Sequence, residues 1–296
     1  MKKIIISIAS IALATVANAQ MSELTTNTGQ MQIVGAGLRV GAGSFRQNGD
    51  DLSAKIGFSG AVDGVYGFYF KRKSTARPYI GIRSGLSIAY TQNKVSADNI
   101  SDKYTINSNI DGNNLTFNYT TNIVDLEETN RQLSIEVPIM ASAIYKRLFA
   151  NLGVRIGIPV VSKYKLTLEN SSSTIQANIV EEGVFDIPTE NTKAFGKLEE
   201  SSSNDKIDGA ASFKMSLAFE GGYVFTIAKN WLSVGAFFNL GLVSNYDGGK
   251  GQVVESDPRE IPATVKINSL TGSRSDKMND LSFGVKAAYT WPKIKK

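Results

Sequence analysis

Residues 131–161 constrain this chain more than any other stretch. They read as two β-strands joined by the basic pair Lys146-Arg147. In the first strand Leu133, Ile135, Val137, Ile139, Ala141, Ala143 and Tyr145 share one face, and Ser134, Glu136, Pro138, Met140, Ser142 and Ile144 share the other. In the second, Leu148, Ala150, Leu152, Val154, Ile156, Ile158 and Val160 oppose Phe149, Asn151, Gly153, Arg155, Gly157 and Pro159. The period is two, with one face continuously apolar and the other mostly small, polar or charged. A soluble sheet would turn its charged face to water. A single charge set mid-strand among glycines instead implies a narrow polar interior and an apolar exterior, the polarity of a transmembrane β-barrel.

The same alternation recurs along the chain. Strands are predicted at 32–43, 56–70, 79–90, 131–145, 148–161, 211–227, 231–243 and 281–291. Their outward faces carry residues such as Val34, Leu38, Phe58, Val62, Ile82, Ile88, Phe219, Phe238 and Phe283, and their inward faces are rich in glycine. Connections after the second, fourth and sixth strands are short. Those after the third, fifth and seventh are long, and the loop at 44–55 is intermediate. This is the pattern of short periplasmic turns and long extracellular loops. The fold expected is all-β: an antiparallel up-and-down transmembrane β-barrel of eight strands with long extracellular loops. Within the excursion at 91–130, two weaker alternating runs flank Asp111-Gly112, a hairpin signal. They read as a hairpin projecting past the membrane, with ten embedded strands as the competing count.

The N-terminus fits this location. Lys2 and Lys3 precede an apolar run over 4–16, and Ala17-Asn18-Ala19 forms a small-residue cleavage site. Residues 1–19 are read as a secretory signal peptide, and 20–296 as one outer-membrane barrel domain. The apolar run is too short for a helical span of about 20 residues. There is no cysteine, hence neither a disulfide framework nor a thiolate metal site.

Every strand but the seventh carries a charge on its inward face near mid-depth: Arg39, Asp63, Arg83, Glu136, Arg155, Glu220 and Lys286, with Asn239 on the seventh. The signs alternate between neighbours. Adjacent strands lie about 4.8 Å apart, so opposite charges at one height can pair across the ladder, Glu136 with Arg155 among them. Four cations face three acids, leaving one surplus cation beside Asn239. Charge at membrane depth costs about 2.5–3.5 kcal/mol on insertion scales, so the belt must point inward. Two roles are open for it, an ion-selective constriction or a packed polar plug. The plug is favoured, because eight strands enclose only enough room for side chains.

Other chemistry is sparse. There is no histidine, which removes Ser-His-Asp hydrolysis and histidine metal sites. Asp50, Asp51, Asp125, Glu127 and Glu128 offer carboxylate pairs only in turn-like surroundings, and no spaced calcium loop appears. Gly248-Gly249-Lys250-Gly251 lacks the Ser or Thr of a phosphate loop. No enzyme activity, cofactor or nucleic-acid partner is expected. Lys71, Arg72, Lys73, Arg77, Lys146, Arg147, Lys229, Lys293, Lys295 and Lys296 gather on the periplasmic side, suited to lipid headgroups or an acidic partner, or simply to soluble turns. Phe70, Tyr90, Tyr145, Phe225, Trp231 and Trp291 are placed as interfacial aromatic girdles.

The Leu133–Pro138 run LSIEVP, then Tyr145-Lys146-Arg147 and a strand with Gly153, Gly157 and Pro159, resembles the porin-like β-barrel family of Bacteroidetes. That family includes PorT-like proteins and is broadly OmpA-like in architecture. The chain departs from it in carrying Pro292 to Lys296 after Trp291. The resemblance implies outer-membrane location and adds a role as an accessory component of a secretion assembly. The leading expectation is a monomeric barrel in outer-membrane lipid. It would have a charge-plugged lumen and a structural or surface-interaction role, meeting an envelope or extracellular protein through its long loops. A narrow porin-like channel for ions or small solutes is the alternative.

Overall fold

The computed structural model describes residues 28–48, 52–97, 100–110, 113–123, 126–178, 189–201, 212–244, 253–257, 264–274 and 277–295. Residues 1–19, read above as a signal peptide, lie outside them. In chain order the elements are β1 Gln30–Asn48, β2 Ser53–Tyr69, β3 Tyr79–Ala97, β4 Ile100–Ile110, β5 Asn113–Ile123, β6 Leu126–Tyr145, β7 Leu148–Asn178, β8 Thr189–Ser201, β9 Lys214–Ile227, β10 Asn230–Gly241, β11 Val254–Asp257, β12 Thr264–Ile267, a helix α1 Leu270–Arg274, and β13 Lys277–Lys295.

Eight of these strands close a ring in the order β1, β2, β3, β6, β7, β9, β10, β13 and back to β1, every pairing antiparallel. The fold is therefore an up-and-down β-barrel, and closure leaves no edge within the ring. Two of its short connections are two-residue turns, opened by Lys146 and Ala228 in the left-handed region with φ of 54° and 56°. The ends joined by short turns are called the turn end here, and the opposite rim the loop end.

The strands run further toward the loop end than the sequence pattern indicates. β1 continues to Asn48 and β2 starts at Ser53, so most of the loop expected at 44–55 is ladder. Likewise β13 begins at Lys277, inside what the pattern gives as a loop reaching Asp280. Polar residues there broke the alternation, but backbone pairing does not need apolar side chains.

β4 and β5 pair with each other and stay out of the ring, so the ten-strand count falls. Instead β5 pairs with the far part of β7 through Thr116–Asn122 and Ser172–Asn178. β8 pairs with β7 over Lys165 to Ala177. The 31 residues of β7 thus form the spine of a four-stranded sheet, β4-β5-β7-β8. At about 3.3 Å per residue β7 is roughly 100 Å long, and its ring pairings end at Gly157 with β9 and Leu168 with β6, so the sheet built on its remaining length stands beyond the barrel wall. The stretch 169–207 was expected to be loop; its described part belongs to β7 and β8.

The two prolines of the opening hairpin find separate exits from the ladder. The β6–β7 register jumps from Leu133↔Val161 to Ser134↔Pro159, so Val160 is the extra residue of a bulge beside Pro159. Pro138 stands where the β3–β6 register passes from Ser84↔Ile139 to Ser87↔Glu136 with no partner recorded between. Each proline thus stands beside an irregularity in the ladder, where the loss of an N–H donor is tolerated.

Candidate functional site: a layered lumen

The interior of the barrel is filled in layers, and each layer follows from inward positions on several strands. At mid-depth sit the belt residues. Arg39 and Asp63 are buried and doubly bridged: Arg39 Nε donates to Asp63 Oδ2 at 3.0 Å and Nη2 to Oδ1 at 3.1 Å. Arg39 Nη2 also reaches Glu136 Oε2 at 3.4 Å, and its guanidinium lies 5.6 Å from the Phe237 ring centre. Lys286 Nζ bridges Glu220 at 2.7 Å and Asp63 at 3.6 Å. Arg155 Nη2 donates to Glu220 Oε1. The six charges thus form one chain, Glu136–Arg39–Asp63–Lys286–Glu220–Arg155. Ser87 Oγ adds a 2.6 Å bond to Asp63, and Asn151 Nδ2 a 2.9 Å bond to Glu220. Arg83 is buried as well, with Nη2 unpartnered. Asn239 turns aside to donate to Ser282 Oγ at 3.0 Å.

The pairing predicted between Glu136 and Arg155 does not form. Glu136 takes Arg39 from across the lumen, while Arg155 takes Glu220 on the neighbouring strand. The reason lies in the register. Across the ladder Glu136 faces Gly157, Asp63 faces Gly37 and Lys286 faces Gly235. Barrel strands tilt, so groups at one height occupy different rungs and long side chains lean diagonally. The glycines leave room for that lean: a Cβ built on Gly157 would stand 3.0 Å from Glu136 Cγ.

Six residues toward the loop end on β9 and β13 is a second pair, Lys214 Nζ to Asp280 Oδ2 at 2.6 Å. Asn93 Nδ2 donates to Asp280 Oδ1 at 3.0 Å. Lys214 lies in the strand predicted at 211–227, but the strand predicted at 281–291 stops one residue short of Asp280, so the sequence pattern does not give the pair; extending the β13 alternation by one residue from Leu281 reveals it.

Both ends of the lumen are apolar. At the turn end Met31, Ile33, Tyr69, Tyr79, Phe149 and Trp231 lead a buried cluster. Trp231 is only 4% exposed, which corrects its placement in an outer girdle; Phe70, Tyr145 and Trp291 do face outward. The signal was available: near the turns both faces of a strand become apolar, as in Leu148-Phe149 and Trp231-Leu232. At the loop end Phe45, Val95, Leu126, Leu166, Leu270 and Met278 form another buried cluster, so α1 folds into the barrel mouth.

Glu128 anchors α1. Its side chain is fully buried and accepts from Leu270 N at 2.5 Å, Ser269 Oγ at 3.0 Å, Thr271 N at 3.3 Å and Thr271 Oγ1. Burial pushes the Glu128 carboxyl above its ordinary range, against hydrogen bonds from Thr271, Asn130, Ser269 and Leu270 that pull it down. Glu127 points to the other face and is held below its ordinary range by Lys94 at 2.7 Å and Lys55 at 3.1 Å. Successive strand residues diverge, so these carboxylates do not act as a pair. Asp50, Asp51 and Asp125 lie outside the described residues.

Of the basic turn residues, Arg72 is buried. It donates to the Thr75 and Arg77 carbonyls at 3.2 and 3.1 Å and stacks 4.3 Å from the Tyr79 ring centre. Its task is to hold its own turn. Lys71, Lys73, Arg77, Lys146, Lys229 and Lys293 are exposed.

No protein-family profile matches the sequence, and no curated protein matches it. Among solved structures, the chain is similar to Ail, the attachment invasion locus protein of Yersinia pestis. The identity is 10% and the TM-score 0.26, over 90% of this chain and 100% of that one. A second crystal structure of Ail, with the heparin analogue sucrose octasulfate, gives 11% identity at the same TM-score and coverage. The translocator domain of the autotransporter NalP from Neisseria meningitidis gives 9% identity and a TM-score of 0.21, over 96% of this chain and 95% of that one.

Proposed function

We propose that this chain is a monomeric outer-membrane β-barrel with a closed lumen, acting non-catalytically at the cell surface through the sheet β4-β5-β7-β8. The observation that carries this reading is the layered interior: apolar cluster, ion-pair belt, second ion pair, then apolar cluster with α1. A conducting pore needs a continuous water column, and each layer interrupts it.

The membrane location is supported by the exterior. Leu38, Val62, Ile82, Ile88, Leu152 and Val285 are each more than half exposed. Water around such a band would cost about 25 cal/mol per Å² of apolar surface; lipid removes the cost. The exposed lysines of the turn end then lie at the periplasmic headgroups and the sheet projects outward. A narrow channel has only the small interior cavity in its favour. The resemblance of the β6–β7 hairpin to Bacteroidetes porin-like barrels supports an accessory role in a secretion assembly as a partner-level refinement.

An epitope inserted between Asp111 and Gly112 tests the reading. Antibody should label intact cells, and liposomes carrying the refolded barrel should retain sucrose. Labelling only after permeabilisation, or rapid sucrose efflux, would contradict it.

A further inference from the structure

Between the belt and the Lys214–Asp280 pair the lumen holds a cavity of about 40 Å³. Arg39, Glu136 and Arg155 line it on the belt side, Lys214 and Asp280 on the loop side, and Asn239 in the wall. A site of this size has room for a small ion or a few waters.

Two features distinguish the cavity from packing slack. Arg155 is 3% exposed and uses only Nη2, toward Glu220; its Nε and Nη1 have no protein partner. The charge is also unbalanced. Glu220 is shared between Arg155 and Lys286, and Asp63 between Arg39 and Lys286. Counting Arg83 and the Lys214–Asp280 pair, and setting aside Glu128, whose carboxyl is taken up by α1 at the barrel mouth, five buried cations face four acids among the described lumen residues. Water could satisfy the idle guanidinium hydrogens but would leave a surplus charge in a low-dielectric interior. Asn239 fits either occupant. Its Oδ1 is unpartnered, and exchanging amide oxygen for nitrogen keeps the Ser282 contact while turning an N–H inward.

We propose that this cavity binds one small monovalent anion of the halide class against Arg155, captured as the barrel folds. The anion completes the charge balance of the belt and stabilises the closed barrel; it is a resident of the lumen, independent of any surface partner.

The chain is refolded into micelles in sodium chloride, sodium bromide or sodium gluconate at equal ionic strength. Bromide crystals should show one anomalous peak beside the Arg155 guanidinium. The urea midpoint should rise saturably with halide and not with gluconate. Asp280→Asn, which removes one of the two acids facing the cavity, should bind halide severalfold tighter. Arg155→Gln should abolish the halide dependence. If that variant does not fold, the bromide peak and Asp280→Asn decide. Water alone in the cavity of bromide crystals, or equal midpoints in chloride and gluconate, overturns the proposal.

Discussion

At the scale of residues, the lumen turns on which acid serves which base. Glu220 serves Arg155 and Lys286 together. Removing one partner of a buried pair costs about 3–5 kcal/mol because the other charge is stranded. Glu220→Gln should therefore lower unfolding free energy by about that much in urea titrations. A double-mutant cycle on Arg155 and Glu220 should show coupling of about 1–3 kcal/mol. The same cycle on Arg155 and Glu136 should show clearly less, since those two share the cavity but do not bond. The identities of the belt residues were legible in the sequence because alternation and sign are local properties. Their partners were not, because pairing depends on tilt and on glycine-made gaps that no single strand encodes. Glu127 and Glu128 give a pH test with opposite signs. Glu128 has a raised folded pKa, so its contribution is present below the ordinary carboxyl pKa and is lost as pH rises through the raised value. Glu127 has a lowered one, so its contribution is present above the ordinary pKa and is lost as pH falls. A nitroxide on Gly272→Cys should become more mobile as pH rises through that raised pKa, and Glu128→Gln should flatten that response.

At the scale of elements, the ends of strands decide whether the barrel is sealed. Trp231 opens β10 with its ring packed inside the turn-end cluster, whereas Trp291 on β13 faces outward. Trp231→Ala should cost about 3–5 kcal/mol as a core truncation, and Trp291→Ala clearly less, measured by urea midpoints in the same micelles. The middle of each strand was legible because one face is apolar and the other is small or charged. The ends were harder for opposite reasons. Near the turns both faces are apolar, as at Leu148-Phe149, so inside and outside look alike. Near the loops polar residues such as Asn48 and Lys277 still pair through the backbone, so strands look shorter than they are.

At the scale of the molecule, the barrel and its projecting sheet are separable. β4 and β5 contribute no rung to the ring, so replacing residues 98–125 with a short Gly/Ser turn should leave the heat- and urea-stability of the barrel within about 0.5 kcal/mol. A large loss would mean that the excursion braces the wall. The eight-strand count was readable from alternating loop lengths, and so was the projecting β4–β5 hairpin; its union with β7 and β8 was not, because β7 joins barrel and projection in one uninterrupted strand. What the whole assembly implies is a lumen blocked by successive layers, with only a small cavity between two of them. Planar-bilayer recording of the full refolded chain tests this most directly. Closed layers predict a flat baseline with no discrete steps under applied voltage, whereas reproducible unitary openings would contradict a sealed lumen.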